Sequence, residues 1–115
     1  MFSKLLGVKT IKIKVSNSKL VKHTPKSYSE ARLIAKELIS GNVIVLDLGE
    51  LSKTDAIRMV DLLAGVLLTI EGEYKKIANM IFLMAPTNEL LVQYHKTITS
   101  EIHNEKDNII KQETH

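Results

Sequence analysis

The sequence predicts an α/β fold, a small two-layer sandwich in which a mixed β-sheet packs with two main helices. Three observations carry that expectation. Residues 42–48 (NVIVLDL) form an apolar run rich in β-branched side chains between Gly41 and Gly49. Residues 27–39 and 52–67 space their apolar side chains as amphipathic helices do. Residues 80–85 are a second apolar run, stopped by Pro86. A strand, a crossover helix and a second strand favour helices layered on a sheet.

From the beginning of the chain, residues 1–9 (MFSKLLGVK) place Phe2, Leu5 and Leu6 near one helical face with lysines at its edges. Such a patch suits an anionic membrane interface, although two turns alone bind weakly. The plain alternative is a frayed or core-tucked terminus. Residues 10–15 (TIKIKV) alternate strictly, as a half-buried strand does. This segment, extended to residue 21, serves as a linker or an extra strand. Ser16, Asn17 and Ser18 make a turn, residues 19–23 return as a strand, and Pro25 ends it.

The first helix opens on a capping box, Ser27 with Glu30. Ala31, Ile34, Ala35 and Leu38 make its stripe, and Gly41 is the expected left-handed stop. The run 42–48 is too short for a typical helix and reads as a central strand buried on both faces. Ser52 with Asp55 starts the second helix. Its inward face is expected to hold Ala56, Val60, Leu63, Ala64 and Leu67, widened by Ile57 and Met59. Residues 67–70 read as strand-like, Glu71-Gly72-Glu73 as a turn, and residues 75–78 as re-aiming the chain into the strand 80–85. Thr87 or Asn88 caps a third helix with Leu91, Tyr94, Ile98 and Ile102 at helical spacing. The polar stretch from Asn104 predicts a disordered tail or a loose helix end.

At 115 residues the chain is one domain with a short arm at each end, long enough to bury a real core. Its few aromatics leave that core aliphatic. With no cysteine, disulfides and thiolate metal sites are excluded. A net charge of +3 allows an anionic partner without demanding one. No stretch approaches the roughly 18 apolar residues of a membrane span, nor do residues 1–15 make a secretory signal, so a cytoplasmic protein is expected.

Little in the sequence points to catalysis, and a non-enzyme without cofactors is expected. His23, His95, His103 and His115 lack metal-ligand spacing. The isolated glycines make no phosphate loop. Asp47, Glu50 and Asp55 cluster at the end of the central strand, where α/β sheets often place ligands. Their plainer roles are capping a turn and occupying the first turn of a helix. Dispersed lysines without interleaved aromatics give no nucleic-acid signature, and none is expected as a partner. Two features point to contact instead. Gly65 sits inside a helix, where glycine costs about 1 kcal/mol relative to alanine and often marks a close approach of another backbone. Phe82 beside Lys75 and Lys76 offers a contact patch for an acidic peptide with an apolar anchor, unless the ring is simply core.

Pro25 and Tyr28-Ser29-Glu30-Ala31 are followed by Val43-Ile44-Val45-Leu46-Asp47-Leu48. Next comes Asp55-Ala56-x-Arg58-Met59-Val60-Asp61-x-x-x-Gly65, and then Ile77-Ala78-x-x-Ile81-Phe82-Leu83-x-x-Pro86. This series, over about residues 22–88, resembles the SepF cell-division family, cytoplasmic membrane anchors of the division ring. The resemblance implies a dimeric α/β sandwich that binds the C-terminal tail of the division GTPase FtsZ and tethers it to the membrane through an N-terminal amphipathic helix. By position it implies Lys76 and Phe82 at the tail site and Gly65 in self-association. It also makes Phe2, Leu5 and Leu6 the membrane foot. Residues 89–115 form a C-terminal helix or extension outside the resemblance. Two other readings fit the sequence: a regulatory domain of the anti-sigma-antagonist type, phosphorylated at Ser52 or Thr54, and a small nucleic-acid-binding module.

Overall fold

The computed structural model describes residues 17–113, with side chains described as far as residue 100. The expected membrane segment with Phe2, Leu5 and Leu6, and the strand expected over residues 10–15, lie outside the described residues.

Four strands form one sheet in the order β1-β2-β4-β3: β1 (Leu20–His23), β2 (Val43–Asp47), β3 (Glu73–Ala78) and β4 (Ile81–Ala85). β1 pairs parallel with β2, and β4 lies antiparallel between β2 and β3. Parallel neighbours need a crossover. Helix α1 (Ala31–Ile39) supplies it between β1 and β2, and α2 (Lys53–Thr69) carries the chain from β2 to β3. Helix α3 (Asn88–Glu113) follows β4, and its backbone runs on through the polar stretch from Asn104.

The α/β expectation holds. The two main helices bury Ala31, Ile34 and Leu38 of α1 and Ala56, Met59, Leu63 and Leu67 of α2 against Ile44, Leu46 and Met84 of the sheet. The opposite face of the sheet packs Val43, Leu83 and Ala85 against Leu91 of α3, with Tyr94 and Ile98 alongside. β2 is thus central and covered on both sides, as its apolar run predicts. α3 adds a further layer to the expected sandwich.

The helix ends show how the sequence specifies the turns. A single 3-10 turn (Tyr28–Glu30) leads into α1, capped by Ser27 and Glu30. Backbone N–H groups of Lys26 and Ser27 donate to the Glu30 carboxylate and hold its pKa below the ordinary value. At the other end Gly41 takes φ 102°, its N–H donates to the Leu38 carbonyl, and the Asn42 N–H donates to that of Glu37. That crossed pair of bonds satisfies the last open carbonyls of the helix. Ser52 caps α2 by accepting the Asp55 N–H at 3.2 Å. Thr87 rather than Asn88 caps α3, accepting the Leu90 N–H at 3.2 Å.

Three expectations need correction. Residues 67–70 are not strand-like: α2 runs to Thr69, and Leu67 and Ile70 are both buried in the α1/α2 core. Burial at helical spacing overrides the local preference of β-branched residues for strands. The chain leaves α2 through Glu71, at φ 58°, and the Gly72 N–H bonds back to the Leu67 carbonyl at 2.8 Å. A Cβ on Gly72 would lie 2.6 Å from the Ala85 carbonyl oxygen, so glycine is needed one position beyond the left-handed residue. Second, residues 75–78 do more than re-aim the chain; they belong to β3, an edge strand in which Glu73, Lys75 and Lys76 carry charge. Third, Ile57 does not widen the core face of α2. Met59 takes the centre of that face and Ile57 is 53% exposed.

Candidate functional site

The flank of α2 that Ile57 occupies is where the site begins. Lys53, Ile57, Val60 and Asp61 recur at helical spacing along that flank, beside the β3–β4 hairpin. Between helix and hairpin opens a groove of about 310 Å³, closed on the hairpin side by Lys76, Met80 and Phe82. Leu48, at the end of β2, and Ala56 complete its apolar lining.

The register brings Lys76 and Phe82 together. They are direct partners across β3 and β4, and Leu46 of β2 pairs with Phe82 on the other side. Direct partners project from the same face of a sheet. The Phe82 ring is half-buried, packed on the α1/α2 core and against Tyr74, with ring centroids 6.2 Å apart at an angle of 50°. Phe82 thus packs on the core and also lines the groove. Lys76 is exposed beside it. A bulge follows Lys76, where the register shifts before Ala78. Bulges re-aim neighbouring side chains.

Met80 occupies the two-residue link between β3 and β4, at φ 60°. Glycine or asparagine normally fills that region, and a bulky side chain there carries about 1–2 kcal/mol of strain. The Met80 carbonyl is pinned by the Leu48 N–H at 2.8 Å, and its side chain packs on the α1/α2 core.

The groove offers apolar walls and a rim of two ammonium groups, Lys53 and Lys76, with one carboxylate, Asp61. Among the described residues no ion pair engages these three. Such a surface is chemically complementary to an apolar side chain on a segment that also carries negative charge.

The structure does not bring Gly65 into this groove. It lies on the exposed side of α2, and a Cβ built there meets nothing within 4 Å. No contact within the described residues requires a glycine at that point. The acidic cluster takes its structural roles. An Asp47 carboxylate oxygen accepts the Gly49 N–H at 3.0 Å, and Asp55 pairs with Arg58 at 3.4 Å; Glu50 is exposed. The Ser52 hydroxyl serves as the α2 cap. His23 meets Glu37 at 2.6 Å, joining β1 to α1. No group of three metal-ligating side chains occurs among the described residues. Among the described residues no helix is long and apolar enough to cross a membrane.

Sequence reasoning misses Met80 and the α2 half of the groove. The spacing of Lys53, Ile57 and Val60 was a usable signal, a second stripe beside the core stripe. Met80 gave none, since nothing in the order of residues announces a methionine in a left-handed turn.

Comparison with known proteins adds a family. The family model for cell division protein SepF matches residues 21–89. Cell division protein SepF of Nocardia farcinica is 41% identical over 71 residues, covering 62% of this chain and 25% of that relative. The protein of the same name from Saccharopolyspora erythraea is 38% identical over 71 residues, covering 62% and 34%. The chain therefore spans about a quarter to a third of the length of these relatives. Among solved structures, a SepF-like protein from Pyrococcus furiosus superposes with a TM-score of 0.50 at 22% identity, covering 64% of this chain and 94% of that one. That likeness concerns the fold.

Proposed function

The chain belongs to the SepF family of cell-division proteins, and on that premise we propose that it is an adaptor acting by docking rather than by chemistry. Its groove takes the C-terminal tail of FtsZ, with Phe82 as the apolar contact and Lys76 as the charge contact. Its leading segment, through Phe2, Leu5 and Leu6, rests on the inner face of the membrane at the division site. Two copies associate through the α2 surface around Gly65.

The observation that supports this most is the direct pairing of Lys76 with Phe82 on the wall of an apolar groove. Exposed Leu62 near the open space at Gly65 supports the second copy. Each single contact is small in such an arrangement. A dimer carrying two tail sites and two lipid feet gains through effective concentration what one copy lacks.

Calorimetric titration with the FtsZ tail peptide tests the groove. Phe82→Ala is expected to weaken binding by about 2 kcal/mol, as loss of a central aromatic contact does, while unfolding stays cooperative. Unchanged affinity removes the assignment. Co-sedimentation with anionic vesicles, with and without residues 1–9, tests the foot. Light scattering of Gly65→Lys tests the association surface, and an oligomer of unchanged size counts against it.

A further inference from the structure

One residue of the groove is held against its backbone preference. Met80 sits at φ 60°, in a two-residue turn whose tip is tied to the end of β2 through the Leu48 N–H. The seat suits glycine or asparagine. A methionine there places a long, apolar, adaptable side chain in the lining of the groove, together with Phe82 and the α2 flank. Backbone strain concentrates where a side chain has work that a relaxed residue cannot do.

We propose that Met80 is a specificity-determining residue of the groove, forming with Phe82 the apolar seat that admits an aliphatic side chain of the bound tail. This rests on the reading of the groove as the tail site. Phe82 is anchored by the core and by Tyr74, so its ring gives the seat a fixed wall. Met80, unbranched and only half-buried, gives it a wall that moulds to the incoming side chain. Lys53 and Lys76 stand at the rim for the tail's carboxylates. The selectivity that follows is for an acidic segment with an aliphatic anchor over a segment with charges alone.

The test uses the full chain and the FtsZ tail peptide. Of its four methionines, Met59 and Met84 are fully buried, so carbon-13 labelling of the methionine methyls makes Met80 a local reporter. On titration the Met80 methyl resonance is expected to move and those of Met59 and Met84 to stay. Met80→Asn suits the turn and removes the apolar wall; it is expected to lower affinity roughly tenfold or more, as loss of an apolar contact in a pocket does. Met80→Leu keeps the wall and is expected to bind close to the parent. A tail peptide whose aliphatic residues are replaced by serine is expected to lose the difference between parent and Met80→Asn.

If Met80→Asn binds like the parent and the methyl stays still while Phe82→Ala loses binding, the role of Met80 is wrong and the groove assignment stands. If neither Phe82→Ala nor Met80→Asn alters binding, or the parent binds no peptide, both are wrong. A Met80→Asn chain that does not fold leaves the methyl titration of the parent to decide.

Discussion

The inward side of α2 carries Ala56, Met59, Leu63 and Leu67, all buried, whereas its outward side carries Gly65 in open space together with Ile57 and Leu62, 53% and 41% exposed. The same seventeen residues thus meet two different demands. The inward set is explained by the chain's own core. The outward set is not explained by any contact among the described residues, and it is this set that the proposed adaptor role uses, at the groove flank and at the association surface. One helix thus has a side that the described residues account for and a side that they do not.

Substitution on the two sides breaks or sharpens the contrast. Leu63→Ala should have the largest effect, about 2–5 kcal/mol of lost stability through a cavity in the α1/α2 core, read as a lower urea midpoint at unchanged slope. A loss under about 1 kcal/mol would mean that the inward face is not the closed core described here. Gly72→Ala comes next. Its Cβ would meet the Ala85 carbonyl and Leu67, and overpacking of that kind costs about 1–3 kcal/mol. Ser52→Ala removes the cap that accepts the Asp55 N–H, for about 1 kcal/mol in the same assay.

The outward side should behave otherwise. Gly65→Ala is expected to raise the stability of the isolated copy by up to about 1 kcal/mol, since alanine favours helix and nothing stands in its way. Thermal unfolding at low protein concentration measures it, and a loss would reveal a contact within the chain. Leu62→Ser should shift that stability by only about 0.5 kcal/mol while reducing association in sedimentation velocity. A surface that tolerates the change in both measurements is plain solvent-facing helix.

Much of this was legible from the residues alone. β2 announced itself because a strand covered on both faces needs an unbroken apolar run, and the caps at Ser27, Gly41 and Ser52 because their chemistry is local. Lys76 and Phe82 were flagged by resemblance and by composition, and the register then brought them side by side. The groove itself was not legible. It exists because β4 inserts between β2 and β3, a pairing of segments far apart in the chain. That order decides which flank of α2 is left uncovered, and so promotes Ile57 from expected core residue to groove wall. The end of α2 was misread for a related reason: Leu67 and Ile70 have strand-like neighbours and helix-like burial.

The chain enters the sheet at one end and the groove opens at the other. Ser18 donates its hydroxyl to the Gly41 carbonyl, and the Val43 N–H donates to the Lys19 carbonyl, so entry is fixed beside the start of β2. Leu48 and the pinned hairpin tip mark the groove end, about 17 Å farther along at the usual rise of a strand. In the proposed adaptor, tension between a leading segment held at a membrane and a tail bound in the groove would run lengthwise along β1 and β2. Parallel strands pulled in that direction resist in shear, with all their rungs strained together instead of parting one at a time. In that role the small domain would act as a mechanical link loaded along its strands.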